Sequence, residues 1–123
     1  MGKRFCLDTD VAIDLINGNP RTKILIESLK DCIPYISIMT LFELLSREKN
    51  LEEIRNFKSK VQILEFDESV CSEAASIFKF LKRKGKLMDY RDLFIASTAI
   101  VNNCALVTFN KKHFENIPHL ELV

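Results

Sequence analysis

The stretch Arg4-Phe5-Cys6-Leu7-Asp8-Thr9-Asp10-Val11-Ala12-Ile13-Asp14-Leu15-Ile16 decides the fold class. The strand expected over 4–7 carries apolar side chains at the consecutive positions Phe5, Cys6 and Leu7, the pattern of a short strand buried on both faces. Behind them Val11, Ile13, Leu15 and Ile16 fall at helical spacing, and Asn17, Gly18, Asn19 and Pro20 end that helix. The polar triplet Asp8-Thr9-Asp10 stands where strand passes into helix.

The same alternation continues downstream. A helix is expected over 21–30, and a buried strand over 35–38 (Tyr35, Ile36, Ser37, Ile38) after Pro34. Thr40 then opens a helix through Leu41, Phe42, Leu44 and Leu45, and another helix is expected over 51–58. A third strand is read over 61–66, after which Asp67 caps a long amphipathic helix with Val70, Ala74, Ile77, Phe78 and Leu81 on its apolar stripe. Gly85 ends it. A helix over 90–101 is apolar around most of its girth, a fourth strand covers 105–108, and 120–123 offers a fifth. Short strands alternating with helices specify an α/β chain, a three-layer α/β/α sandwich on a mainly parallel sheet of four to five strands. In such sheets the polar site forms outside the carboxyl ends of the strands.

At 123 residues and 14.2 kDa the chain suits one domain, expected over 1–123. Hydrophobic residues at 47%, charged residues at 28% and only three Gly and three Pro argue against disorder. The net charge of +1 gives no bulk attraction to nucleic acid or an anionic membrane, so either partner needs a local patch. The cysteines, Cys6, Cys32, Cys71 and Cys104, lie far apart among apolar neighbours without a metal-site spacing and read as buried, reduced thiols. Lys3 and Arg4 lead directly into Phe5 without a signal-peptide pattern, and the apolar run 93–101 is broken by Ser97 and Thr98. The expected setting is cytoplasmic, with no membrane partner.

Asp8 follows the first strand, Glu43 sits in the first turn after the second, Asp92 lies in the first turn of the 90–101 helix, and Asn110 follows the fourth strand. If the strands are neighbours, three carboxylates and an amide meet at one sheet edge. Two unpaired carboxylates about 5 Å apart repel by about 3 kcal/mol at an effective dielectric of about 20. Hard oxygen donors without thiolate or imidazole nearby select Mg²⁺ or Mn²⁺. Singly, each has a structural explanation: Thr40 with Glu43, and Asp89 with Asp92, have capping-box spacing, and Asn110 suits a turn. Asp8 is harder to explain so, because a carboxylate directly behind a buried strand needs a partner.

Taken in order, Leu7-Asp8-Thr9-Asp10, Thr40-Leu41-Phe42-Glu43-Leu44, Arg91-Asp92-Leu93-Phe94-Ile95-Ala96 and Leu106-Val107-Thr108-Phe109-Asn110 with His113 and Phe114 resemble the PIN domain nucleases, particularly the compact VapC-type toxins of toxin–antitoxin pairs. The resemblance extends along nearly the whole chain. It implies a metal-dependent endoribonuclease that cuts by in-line attack of water, leaving a 3′-hydroxyl and a 5′-phosphate. Asp8, Glu43 and Asp92 would then hold Mg²⁺ or Mn²⁺, and Asn110 would occupy a site position that the family fills with Asp or Asn. Thr108 and Asn110 would orient water or ligands, and Thr9 or Asp10 would brace Asp8. Asp10 equally suits the N-cap of the first helix, and Asp89 suits a cap or a supplementary acid. The family also implies a homodimer and a small antitoxin partner, and Leu15, Ile16, Ile24, Leu25, Ile26 and Leu29 offer apolar surface for an interface.

RNA needs cations. Lys79, Lys82, Arg83, Lys84, Lys86 and Arg91 gather in sequence before Asp92, either as phosphate contacts or as a solvated helix end complementing the helix dipole. Lys111, Lys112 and His113 form a smaller patch beside Asn110. The alternatives are a non-catalytic or degenerate PIN-type binding module, and a haloacid dehalogenase-type phosphatase with Asp8 as nucleophile. The phosphatase requires late acids, where this chain has Asn110.

Overall fold

The computed structural model describes residues 3–29 and 32–123. Its elements run β1 (Phe5–Leu7), α1 (Thr9–Ile16), α2 (Pro20–Ser28), β2 (Pro34–Ser37), α3 (Ile38–Leu45), α4 (Leu51–Lys58), β3 (Gln62–Leu64), α5 (Glu68–Arg83), α6 (Tyr90–Val101), β4 (Ala105–Val107) and α7 (Lys111–Phe114). The expected end of the second helix at Lys30 lies outside the described residues.

The four strands form one parallel sheet in the order β3-β2-β1-β4, with Cys6 opposite Tyr35 on one side and Leu106 on the other. Strand alternation divides the core in two. Cys6, Tyr35, Leu64 and Leu106 face Ala74, Ile77 and Leu81 of α5, Leu93 and Ala96 of α6, and Phe114 of α7. Phe5, Leu7, Ile36, Ala105 and Val107 face Val11 and Ala12 of α1, Leu41 and Leu44 of α3, and Ile54 of α4. Helices cover both faces, which is why β1, β2 and β4 read as continuous apolar runs.

The expected fifth strand does not form. Leu122 makes an isolated parallel bridge to Leu106, with Leu106 N–H donating to Glu121 O (2.8 Å) and Val123 N–H to Leu106 O (2.9 Å). Pro118 and the left-handed His119 (φ 66°) bring only the last residues alongside β4.

Two helix starts also differ from the sequence reading. Asp8, rather than Asp10, is the N-cap of α1, and Ser37, rather than Thr40, is that of α3. Ser37 Oγ accepts from Thr40 N–H at 3.0 Å, so the Thr40–Glu43 capping box is absent and Glu43 lies in the second turn. At the other ends, Gly18 (φ 73°) and Gly85 (φ 67°) take left-handed turns. After α5, Gly85 N–H donates to Lys82 O (3.1 Å) and Lys86 N–H to Leu81 O (2.9 Å), the paired bonds of a Schellman motif.

Cys6 and Cys104 are buried and Cys32 half-buried, but Cys71 is exposed on α5, contrary to the expectation of four buried thiols. Burial pushes the Cys6 and Cys104 thiols up, away from the reactive thiolate. Leu15, Ile16, Leu25, Ile26 and Leu29 pack at the edge of the core, leaving Ile24, 67% exposed, as the outlying member of the expected interface. No described helix is long and apolar enough to cross a membrane.

Candidate active site

The strand order reverses at β1: β2 and β3 extend to one side and β4 joins the other. The carboxyl ends of β1 and β4 therefore flank the switch point where α/β sheets open a crevice. Asp8 leaves β1 there, and Thr108 and Asn110 leave β4. A cleft of about 600 Å³ at this edge is lined by Asp8, Thr9, Asp10, Glu43, Asp89, Arg91, Asp92, Asn110 and His113, among others. The structure thus brings together all four expected catalytic positions, from β1, α3, α6 and the turn after β4.

Each acid is held by its own donors. Asp8, only 6% exposed, accepts from Thr9 N–H (2.9 Å) on Oδ1 and from Thr108 Oγ1 (2.8 Å) on Oδ2. Asn110 N–H donates in turn to Thr108 Oγ1 (3.0 Å), fixing the hydroxyl toward Asp8. Thr9 Oγ1 donates to Glu43 Oε1 at 2.6 Å and lies 3.0 Å from Thr40 Oγ1. A hydroxyl has one proton, so Thr40 must donate to Thr9, and Ser37 Oγ donates to Thr40 (3.3 Å). Ser37, Thr40 and Thr9 form a one-way relay ending on the Glu43 carboxylate, and such chains polarise in one direction. In sequence Thr40 was read as a helix start and cap and Ser37 as a strand residue, neither as part of the site. Their only signal was hydroxyl side chains inside an otherwise apolar strand-to-helix passage.

Asp10 does not brace Asp8; its Oδ2 accepts from Asn110 Nδ2 at 3.2 Å. Asp89 is the N-cap of α6, Oδ1 accepting from Arg91 N–H at 2.8 Å. Arg91 Nη2 also pairs with Asp89 (3.1 Å) while Nη1 stands 3.6 Å from Glu43 Oε2, making Arg91 the counter-charge of the acids it follows in sequence. His113 Nδ1 lies 3.5 Å from Asp92 Oδ2, so an imidazole does stand beside the acids, against expectation. The four-residue α7 swings it in from across the sheet edge, a contact that local sequence does not display.

Burial pushes the Asp8 carboxyl above its ordinary range, outweighing the Thr108 and Thr9 hydrogen bonds, with Asp92 and Asp10 adding repulsion. Burial likewise raises Asp92, offset in part by His113. The carboxylates do not collapse onto one point: among the described residues, no group of three or more His, Cys, Asp or Glu side chains is close enough together, as placed, to hold a metal ion. Asp8 and Glu43 each take a threonine donor, Glu43 also faces Arg91, and Asp92 faces His113.

The basic residues divide. Lys86 lines a cavity that also contains Asp92, Lys112 and His113. Lys82, Arg83, Lys84 and Lys111 line neither that cavity nor the carboxylate cleft, and Lys79 borders an apolar groove with Phe78 and Tyr90. The expected crowding of the whole run around Asp92 is therefore not found. The last turn of α5 presents residues 82–84 to solvent before Gly85 returns the chain at Lys86.

The family model described as PIN domain matches residues 5–120. The chain belongs to the PIN domain family. This PIN domain is 33% identical over 119 residues to ribonuclease VapC1 of Methanocaldococcus jannaschii, covering 97% of this chain and 85% of that protein. It is 29% identical to the tRNA(fMet)-specific endonuclease VapC of Salmonella typhimurium, covering 97% and 96%. Among solved structures, that of VapBC2 from Rickettsia felis bound to a promoter DNA fragment matches with a TM-score of 0.88 at 31% identity, covering 98% of this chain and 97% of the other. The DNA-bound VapBC of Salmonella typhimurium matches with a TM-score of 0.82 at 30% identity, covering 100% and 98%. The three-layer fold and the PIN assignment stand as expected from the sequence.

Proposed function

We propose that this PIN domain is the toxin of a type II toxin–antitoxin pair, an endoribonuclease acting in the cytoplasm with Mg²⁺ or Mn²⁺ held by Asp8, Glu43 and Asp92. The reading is carried by the delivery of these acids and Asn110 to one cleft at the switch point of the sheet. The likeness to VapC ribonucleases supports the reaction, and the likeness to VapBC complexes supports an antitoxin partner.

The donor chemistry fits a hard divalent cation: carboxylates and an amide line the cleft without a thiolate. Such an ion, when bound, lowers the pKa of an attacking water and neutralises charge on the phosphate and leaving oxygen. The chain's own residues set up that chemistry. Thr108 and Thr9 donate to Asp8 and Glu43, fixing the direction in which the carboxylates present their remaining lone pairs. Arg91 faces Glu43 and His113 contacts Asp92, and both stand where an RNA phosphate would approach. Asn110 keeps Thr108 aligned through its backbone and holds Asp10 through its side chain. Lys82, Arg83, Lys84, Lys86 and Lys111 add longer-range attraction for RNA.

The partners in this reading are RNA, an antitoxin and a second copy of the chain. Ile38, Phe42 and Leu45 form an exposed stripe at helical spacing along α3, and Phe42 reaches the cleft, offering a protein partner apolar surface beside the acids.

Product ends test the reaction. RNA cut by this protein is expected to carry 5′-phosphate and 3′-hydroxyl ends; a 2′,3′-cyclic phosphate would assign the attack to the RNA's own hydroxyl and overturn the reading. Thr108→Val removes the donor to Asp8 while nearly preserving shape, and is expected to weaken metal affinity by about 10- to 100-fold, measured by Mn²⁺ titration calorimetry.

A further inference from the structure

Beside the carboxylate cleft lies a second cavity of about 290 Å³, with Asp89, Asp92 and His113 lining both. Its other walls come from the turn between α5 and α6 and from the segment around α7. Leu87, 68% exposed, stands in the first, and Ile117, buried at 6%, in the second. Lys86 and Lys112 line it, both exposed, and neither is ion-paired with a carboxylate among the described residues. Asn116 adds an exposed amide.

We propose that this cavity seats one unpaired nucleotide of the RNA substrate, next to the phosphodiester that is cut. The inference rests on the ribonuclease reading above and extends it to substrate selection. An RNA strand leaving the cleft at Asp92 passes over His113 or Asp89 directly into this space. Exposed Leu87, with the small accessible part of buried Ile117, offers a base apolar surface to pack against. Lys86 and Lys112 supply the positive charge that a flanking phosphate needs beside an otherwise acidic site. The Asn116 amide, with donor and acceptor, matches a base edge and gives the pocket a means of selecting among bases.

The test uses binding by the Asp8→Asn protein in chelator, read by fluorescence anisotropy of a short single-stranded oligoribonucleotide in which an abasic residue is moved along the strand. A loss of about tenfold is expected at one position of the abasic residue. Adding Leu87→Ala with Asn116→Ala should erase that loss; both positions are exposed, and circular dichroism checks the fold. Lys86→Ala with Lys112→Ala should lower the slope of log affinity against log salt by roughly 1.4. Affinity indifferent to the abasic position, absence of binding, or a positional loss that survives Leu87→Ala with Asn116→Ala overturns the pocket. Cleavage of the same strand by the unmutated protein reports separately on the ribonuclease. Protein that cuts without any positional effect keeps the ribonuclease and loses the pocket; protein that shows the effect but never cuts keeps the pocket and loses the ribonuclease.

Discussion

Asp8→Asn is expected to slow RNA cleavage by about a thousandfold or more, the consequence of losing several kcal/mol of charge stabilisation at the reacting phosphate. The same substitution should leave the metal-free protein more stable at neutral pH. Asp8 is buried at the end of β1, and burial, with the nearby charges of Asp92 and Asp10, holds its pKa above the ordinary value. A carboxyl whose folded pKa is raised favours folding most below its unfolded pKa of about 3.9 and loses that contribution as pH rises through the folded value. Asp92 is raised for the same leading reason and adds to the trend. In chelator, the melting temperature of the unmutated protein should therefore fall as pH rises from about 4 toward 7, and that of Asp8→Asn should fall less. The Thr108 hydroxyl can turn to accept from the new amide, so the fold keeps its local bonding. A variant that cuts at the unmutated rate would remove Asp8 from the site.

Phe114→Ala is expected to cost about 3–5 kcal/mol of stability. Phe114 is 1% exposed and joins Leu106, Ala99 and Ile117 in the core on the α5–α6 face of the sheet. It is also the anchor of α7, four residues that form no stable helix alone. Lys112 and His113 ride on that anchor, so RNA cleavage should fall along with stability. Denaturant unfolding gives the first quantity, with Phe42→Ala as the contrast: Phe42 is 64% exposed, and its truncation should shift stability by no more than about 0.5 kcal/mol. Equal costs at the two positions would contradict the assignment of Phe114 to the core.

Much of this architecture was legible because the local signals agreed. The helix over 90–101 is bounded by Asp89 as cap and by Asn102, and the structure reproduces it without change. The helix over 51–58 does the same. The strands were legible as buried apolar runs, but their order was not, since pairing of β1 with both β2 and β4 is a tertiary fact. The convergence of Asp8, Glu43, Asp92 and Asn110 depends on that order. Thr40 misled because its spacing to Glu43 imitates a capping box, whereas its hydroxyl is buried and bonded to Thr9, leaving Ser37 to cap α3. Asp8 was read as a site residue and Asp10 as a candidate cap; in the fold Asp8 occupies the cap position and lines the site as well. His113 was read as part of a small basic patch beside Asn110, and only the return of the chain after β4 places it against Asp92.

In the proposed reaction Asp8, Glu43 and Asp92 work together on a divalent ion to hydrolyse RNA. This is tested most directly by incubating the purified protein with single-stranded RNA in chelator and then restoring Mg²⁺ or Mn²⁺. No cutting is expected in chelator and full cutting on restoration, with Glu43→Gln and Asp92→Asn inactive in both conditions. Cutting that proceeds in chelator, or that survives either substitution, would contradict the proposed reaction.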